Sequence, residues 1–296
     1  MNVSVDSTTP KPGWRSLHRL APVRLLVFFV VLVVGYVGAQ LALGWALHRA
    51  PVSAADWVAL GGAIALAAAL IGIYTALVHA TEHRKATEVS PAAGPALAGI
   101  VFGFGLFVAV LGLIHAAGSA QVLGPSAGFD AIPALAGAIL AAVGEELAVR
   151  GGVFRLLEES CGTFVALVLS AALFGLLHAS NPGASLVSTA AIAIEAGVLL
   201  GAAYALTRNL WLPIGLHFGW NFAEGGIFGS SVSGGAAGKG VFAVTLAGPS
   251  LLTGGKFGPE ASLIAVAVCF TAALMLIALI VRTGRWIPAR VRAVSN

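Results

Sequence analysis

Charged residues are scarce in this chain, and their scarcity decides its class. Only 9% of the 296 residues are Asp, Glu, Lys or Arg, whereas 58% are hydrophobic and the mean hydropathy is +0.96. Soluble globular domains carry about 25% charged residues. No stretch is left over for a soluble domain, so the composition predicts a polytopic membrane protein.

Cysteines and strongly basic segments are also nearly absent. Cys161 and Cys269 stand far apart and fit no metal-binding or redox spacing, so both are predicted to be structural. The net charge is only +4, and the basic residues are scattered through tails and loops. Orientation in a lipid bilayer explains this distribution, and we expect no nucleic-acid partner. The sequence has no internal repeat, heptad array or phosphate-binding loop.

The apolar residues form runs that are long enough to cross a bilayer, which takes about 20 helical residues. These runs lie near residues 25–47, 57–79, 96–117, 131–154, 163–180, 184–207, 211–228 and 261–281. The first run resembles a removable signal peptide, but its apolar residues continue to Leu47, which favours an uncleaved span. The predicted fold is therefore all-α, a membrane bundle of about eight transmembrane helices.

Basic residues mark one side of the membrane. The loop at 118–130 has no Lys or Arg, whereas the linker at 81–85, the turn at Arg208 and the tail from Arg282 carry several. Because cytoplasmic loops are enriched in Lys and Arg, both termini are predicted to be cytoplasmic. Three basic residues do not fit this orientation: Arg49, Lys239 and Lys256. The alanine- and glycine-rich composition indicates a bacterial cell-membrane protein.

The apolar runs and the polar stretches between them divide the chain into five segments. They are a cytoplasmic tail at 1–22, N-terminal spans at 23–130, a helical core at 131–228, a glycine-rich extracytoplasmic loop at 229–260, and a last span with a basic tail at 261–296. The glycine-rich loop could fold over the spans as a lid. A flexible connector between the seventh and eighth spans is the favoured interpretation.

Two adjacent carboxylates, Glu145 and Glu146, follow an uncharged stretch in the fourth run. Carboxylates in or beside the hydrocarbon are costly unless they are paired or functional. Arg150 lies four residues after Glu146, the favourable order for an ion pair. Glu145 points about 100° away and lacks such a partner, so it could hold a proton in transit. A charge cluster that only marks the end of a span is an equally open interpretation.

Two further polar pairs follow in the later apolar runs. Phe174 and His178 are four residues apart, as are His217 and Asn221, so each pair shares a helical face. A lone histidine near a span end is more often an interfacial residue than a catalyst. Two histidines together with an Asn and an unpaired Glu favour a polar site among spans four to seven. Glu224 continues the second face, either as a fourth member of this site or, as we favour, as a residue at the outer boundary.

The depth of these residues sets a condition on the fifth span. A helical hairpin that turns at 160–162 would bring Glu145 and His178 to a similar depth. Straight spans would put His178 and His217 at opposite membrane faces. The fifth span is therefore predicted to be short or broken at Pro182, which is permitted where the backbone is buried in protein or beside water.

Three motifs in this region resemble those of a known family. E-E-x-x-x-R at 145–150, F-x-x-x-H at 174–178 and H-x-x-x-N at 217–221 occur in order and complete. Together they resemble the CPBP family, the CAAX-processing and bacteriocin-processing proteases, which are intramembrane glutamic endopeptidases. The resemblance covers residues 145–221, and the first three spans match only in being hydrophobic.

The resemblance implies peptide hydrolysis without a cofactor. Glu145 would act as general base on a water molecule that His178 shares. His217 and Asn221 would donate hydrogen bonds to the oxyanion of the tetrahedral intermediate. Three residues would hold these groups and their helices in position: Glu146, Arg150 and Phe174.

Alternatives remain open at this point. Two His and two Glu could ligate zinc, but the H-E-x-x-H spacing is absent, so metal-free chemistry is favoured. A proton- or ion-coupled transporter could use the same groups together with Glu195. A non-hydrolytic immunity or scaffold protein would keep the residues without the reaction. For a protease, a membrane-associated peptide or membrane-anchored protein is the expected substrate, in preference to a prenyl-cysteine. The sequence does not indicate the oligomeric state.

Overall fold

The computed structural model describes residues 21–126, 128–129 and 131–289, which are mostly helical. The predicted N-terminal tail, apart from residues 21 and 22, lies outside this range, as does the basic end of the C-terminal tail. In chain order the α-helices are α1 (Ala21–Arg49), α2 (Ala55–Glu82), α3 (Ala93–Ala116), α4 (Ala131–Glu146), α5 (Arg155–Cys161), α6 (Thr163–Leu177), α7 (Leu186–Ile192), α8 (Val198–Thr207), α9 (Trp211–Asn221), α10 (Ser250–Thr253) and α11 (Leu263–Arg282).

Within the described residues, six helical stretches are long and apolar enough to cross a membrane. They are Ala21–Arg49, Val52–Glu82, Ala93–Ala116, Ala131–Cys161, Leu186–Thr207 and Leu263–Arg282. The predicted count of about eight is therefore not confirmed. The fifth apolar run forms α6, which has 15 residues, and a helix of that length spans only about 22 Å. This fits the expectation of a short fifth span.

Three π-helical segments interrupt the long helices beside the predicted polar residues. They are Leu147–Phe154 between α4 and α5, Ala193–Gly197 between α7 and α8, and Phe222–Ile227 after α9. The first begins directly after Glu146, and the last directly after Asn221. Such segments are rare and frequently occur at functional sites. They also break the regular 3.6-residue periodicity on which a sequence argument about helical faces depends.

Glycines hold α9 in the centre of the bundle. Gly99 and Gly103 of α3 face Gly215 and Gly219 of α9, four residues apart on each helix. A Cβ atom at Gly103 would lie 2.0 Å from the carbonyl oxygen of Leu216, and one at Gly219 would lie 2.3 Å from that of Ile100. Small residues permit this approach of two backbones. The contact fixes the helix that carries His217.

The structure contains a small sheet that an all-α prediction misses. Strands β1 (Ala120–Pro125) and β2 (Phe242–Leu246) pair antiparallel, with an irregularity between Val122 and Gly124. The ribbon ties the loop before α4 to the glycine-rich segment. Its two strands lie more than one hundred residues apart, and a pairing between distant segments leaves no local signal in the sequence.

The glycine-rich segment packs onto the helices. The Gly234 amide donates to the Phe257 carbonyl at 2.8 Å, within the segment itself. The Asn181 side chain, from the turn after α6, donates to the Ser233 carbonyl at 2.9 Å. These contacts place this part of the chain over the end of the bundle where α6 stops.

Ion pairs join the linker between α2 and α3 to the region around α5. Arg84 donates to both carboxylate oxygens of Glu88, at 2.9 and 2.8 Å, and Tyr74 also donates to Glu88. Burial raises the pKa of Glu88, but these hydrogen bonds and the charge of Arg155 outweigh burial and bring the pKa down to about 2. The ionised carboxylate therefore stabilises the fold.

Glu88→Gln is expected to lower the free energy of unfolding at pH 7 by roughly 3 kcal/mol, because one pKa unit corresponds to about 1.4 kcal/mol. The depressed pKa makes this contribution complete above about pH 4.5, and it is lost as the pH falls towards about 2. The free energy of unfolding of the wild type and of Glu88→Gln should be measured in detergent at pH 7, 4 and 3. The difference between the two proteins should become smaller as the pH falls. A constant difference would contradict the assignment.

The control is Glu159→Gln. Glu159 pairs with Arg24 and Arg155, but its side chain is 48% exposed. Exposed pairs contribute about 0–1 kcal/mol, so this variant should stay close to wild type at each pH.

Candidate active site

Three of the predicted site residues meet where α4, α6 and α9 come together. Glu145 lies in the last turn of α4, His178 caps the C-terminus of α6, and His217 lies in α9. The Glu145 Oε2 atom is 3.8 Å from His178 Nε2 and 4.0 Å from His217 Nε2. Both distances exceed a direct hydrogen bond and suit a bridging water.

The end of α6 fixes the orientation of His178. Its Nδ1 lies 2.8 Å from the Phe174 carbonyl oxygen, which can only accept, so Nδ1 carries the proton. Its ring also packs on the Phe174 ring, with centroids 4.7 Å apart. This hydrogen bond leaves the Nε2 atom of the ring facing Glu145, at 3.8 Å from Oε2. The C-terminal end of α6 thus places His178 beside Glu145.

Glu146 is bonded to two partners, one of which the sequence did not indicate. Arg150 Nη1 donates to Glu146 Oε1 at 2.9 Å, as the i,i+4 spacing predicts. His217 Nδ1 donates to the same oxygen at 3.1 Å. Glu146 is fully buried. The two adjacent acids thus face different sides of His217, with Glu146 at Nδ1 and Glu145 near Nε2.

Arg150 connects this pair to the helix that follows α7. Its Nη2 donates to the carbonyls of Ala196 and Gly197, at 3.3 and 3.1 Å, within the π segment Ala193–Gly197. Its guanidinium also lies 4.4 Å from the centroid of the Phe174 ring. The predicted supporting residues Glu146, Arg150 and Phe174 therefore contact one another or the histidines directly.

Tyr36 of α1 is a site residue that sequence reasoning missed. Its hydroxyl donates to Glu145 Oε1 at 3.1 Å, across 109 residues of chain. Gln40, one helical turn later, donates to the Tyr36 hydroxyl at 2.8 Å. A polar pair at i,i+4 inside the first apolar run was the available signal, because it repeats the spacing of the later motifs.

A cleft opens beside these residues. It encloses about 1040 Å³, including the part open to the outside, and its walls come from α1, α4, α6, α9 and the glycine-rich segment. Apolar residues such as Val33, Val37 and Leu177 line one part, and Glu145, His178, His217, Asn221 and Ser233 line the other. The Asn221 side chain has no hydrogen-bond partner among the described residues, so its amide is available to a ligand.

Three carboxylates outside the predicted site are buried behind it. Glu195 and Glu260 line an internal cavity together with His178, His217 and Asn221. Glu224 is fully buried and accepts a hydrogen bond from Trp220 at 3.1 Å. The π segment after Asn221 and the covering glycine-rich segment enclose this end of the helix, so Glu224 is surrounded by protein.

The described residues contain no group of three or more His, Cys, Asp or Glu side chains arranged to hold a metal ion. Each histidine beside Glu145 has its Nδ1 engaged by another protein atom, Phe174 O for His178 and Glu146 Oε1 for His217. The two Nε2 atoms and Glu145 Oε2 face one another in the cleft.

The apolar helices around a buried polar site define a multi-pass membrane protein. Residues 127–223 match a family model described as Rce1-like, type II CAAX prenyl endopeptidase. This segment belongs to the CAAX-protease (CPBP) family, which confirms the resemblance drawn from the three motifs and points to a protease. No curated protein and no solved structure matches the chain significantly.

Proposed function

We propose that this protein is an intramembrane endopeptidase that hydrolyses a peptide bond with a water molecule activated by Glu145. The observation that carries the proposal is the arrangement around Glu145 Oε2. This oxygen is buried, accepts no hydrogen bond within the described residues, and has a histidine Nε2 on each side at 3.8 and 4.0 Å. A water molecule beside these two atoms could form hydrogen bonds with both Glu145 and His178.

In the first step, Glu145 takes a proton from the water molecule. At the same time the oxygen of that water attacks the carbonyl carbon of the substrate. Nε2 of His178, in the neutral ring, accepts a hydrogen bond from the second hydrogen of that water, which stays on the water oxygen, and thereby orients the water. Negative charge then develops on the carbonyl oxygen. A site that presents fixed donors to that oxygen stabilises the transition state.

His217 and Asn221 are the proposed donors. Because His217 Nδ1 donates to Glu146, its Nε2 carries a proton only when the ring is an imidazolium. The carboxylates of Glu146 and Glu145 on its two sides favour that charged ring. In the second step the carbon–nitrogen bond breaks, the leaving amine takes the proton from Glu145, and the carboxylate is restored.

The lining of the cleft supports a substrate that is associated with the membrane. Part of its lining is apolar and comes from α1, a helix with the length and composition of a membrane span. A peptide attached to or embedded in the bilayer could enter from that side. We propose a membrane-associated peptide or membrane-anchored protein as substrate, processed without a metal cofactor.

Peptidomics of membrane fractions tests this proposal. Cells that carry the wild type are expected to contain peptides with new termini that are missing from cells carrying Glu145→Ala. Identical peptide sets would contradict it. Once a substrate is known, a chelator should leave its cleavage by the purified protein intact, whereas loss of cleavage that Zn²⁺ restores would require a metal.

Asn221→Ala is expected to lower kcat by about 10²- to 10³-fold with little change in KM, because an oxyanion donor acts mainly in the transition state. The melting temperature should change little, since the Asn221 side chain bonds no other described residue. Both quantities are measured on the same purified variant. A lower melting temperature with unchanged kcat would instead assign Asn221 a packing role.

Proton- or ion-coupled transport is the second candidate function. The buried carboxylates Glu195, Glu224 and Glu260 favour it, because ionisable groups inside a membrane often mark ion paths. Proteoliposomes that hold a pH-sensitive dye separate the two functions. Proton flux that survives Glu145→Gln and is lost in Glu195→Gln would support transport. Peptide cleavage without flux would support the peptidase.

A further inference from the structure

We propose that Tyr36 is a positioning residue for Glu145, so that the first helix completes a site whose recognised motifs all lie in residues 145–221. This inference rests on the proposed peptidase function. Its basis is a chain of contacts that begins on α1 and ends at the proposed general base.

The hydrogen bonds around the Tyr36 hydroxyl fix its direction. Gln40 Nε2 donates to the hydroxyl oxygen at 2.8 Å, so the hydroxyl's own hydrogen is free to point elsewhere. Glu145 Oε1 lies 3.1 Å from that oxygen and can only accept when the carboxylate is ionised. The phenol therefore donates to Glu145. Hydrogen bonds in a chain of this kind also strengthen one another.

This contact divides the two oxygens of Glu145 between two tasks. Oε1 is held by Tyr36, and Oε2 is left facing His178 and His217. Without the phenol, rotation about the last side-chain bond would exchange or tilt the two oxygens. Reaction rates fall steeply when a catalytic group is misplaced by even about 1 Å.

The backbone of α4 is adapted to receive the tyrosine. The Tyr36 ring lies on Gly144, where a Cβ atom would come within 2.2 Å of Tyr36 Cδ2 and 2.7 Å of Cε2. Any larger residue at this position would push the ring away from Glu145. The N-terminal half of α1 is anchored separately, by the buried side chains of Phe28 and Leu32 and by the ion pair of Arg24 with Glu159.

The main test is Tyr36→Phe, which keeps the ring and removes only the hydroxyl. A donor to a carboxylate favours its ionised form, so its loss should move the acidic limb of the kcat/KM profile upward by about one pH unit. It should also lower kcat at neutral pH by about 10-fold, the usual size of one hydrogen bond to a charged group. Gly144→Ala should have the same effect, although it keeps the hydroxyl.

Tyr74→Phe is the matched control. The Tyr74 hydroxyl donates a hydrogen bond to a different carboxylate, Glu88, which does not line the cleft. It should lower the melting temperature and leave the position of the acidic limb unchanged. If Tyr36→Phe also changes only the melting temperature, Tyr36 is a packing residue and the inference is overturned.

Carbodiimide labelling of Glu145, read by mass spectrometry of its peptide, adds a measurement that does not require activity. The reagent modifies protonated carboxyls, so labelling in Tyr36→Phe should extend to higher pH than in the wild type. If labelling of Glu145 extends to higher pH in Tyr36→Phe but the wild type has no peptidase activity, the positioning role is supported and the proposed function is rejected. Unshifted labelling in an active enzyme would reject the positioning role alone.

Discussion

Replacement of Glu145 by glutamine is expected to lower kcat by about 10³- to 10⁴-fold, the upper part of the range for a general base. The amide has the shape of the carboxylate, and its oxygen can still accept the hydrogen bond from Tyr36. It cannot take a proton from water at neutral pH. The Glu145 side chain is 19% exposed and has no ion-pair partner at direct hydrogen-bond distance, so the melting temperature should stay near that of the wild type.

Glu146→Gln is the matched control, because it makes the same change at the adjacent residue. Arg150 and His217 would then share a neutral amide in place of a buried carboxylate. We expect the melting temperature to fall clearly, and kcat per folded molecule to fall less than in Glu145→Gln. Equal catalytic losses in two well-folded variants would show that the acids act as a pair. An active Glu145→Gln enzyme would contradict the proposed mechanism.

Arg150→Met is expected to lower the free energy of unfolding by about 3–5 kcal/mol, the usual cost of removing one partner from a buried ion pair. Arg150 is 0% exposed, and its loss would leave His217 as the remaining side-chain donor to the buried Glu146 carboxylate among the described residues. It would also remove the donor to the Ala196 and Gly197 carbonyls. Methionine fills much of the volume of the arginine stem, so a cavity contributes little to the effect. Chemical unfolding in detergent measures it.

Two further variants test whether the broken ion pair causes the loss of stability in Arg150→Met. Arg24→Met removes an arginine whose pair with Glu159 is partly exposed, and should cost at most about 1 kcal/mol. The double variant Arg150→Met with Glu146→Gln removes the buried carboxylate as well, and should recover about 1–3 kcal/mol relative to the sum of the single changes. A loss in Arg150→Met no larger than that in Arg24→Met would mean that the buried pair does not hold the helices together.

Sequence spacing predicted contacts within a single helix well. Glu146 and Arg150 pair because residues four apart lie on one face, and the helical hairpin turns between α5 and α6 as expected. The requirement for a short fifth span came from the depth of two histidines and agrees with the 15 residues of α6. In each case the physical cause acts over a few residues of the chain.

Contacts between different helices could not be predicted from spacing along the chain. The bond of His217 to Glu146 joins residues 71 positions apart, and that of Tyr36 to Glu145 joins residues 109 apart. Both depend on how the helices rotate against one another. Glycine contacts between α3 and α9 fix the helix that carries His217, and the contact of the Tyr36 ring with Gly144 fixes α1 against α4. No hydrophobic period in the sequence reports such a rotation.

By itself, then, the sequence determined the membrane class, because apolar runs of span length with few charges are stable only in a bilayer. It also determined the family, because three complete motifs occur in order. Only the tertiary structure decided that Tyr36 of the first helix reaches Glu145, that Glu224 is buried, and that a β-ribbon ties two loops together. These outcomes depend on close packing between distant segments, where backbone approach and local helix widening select the partners.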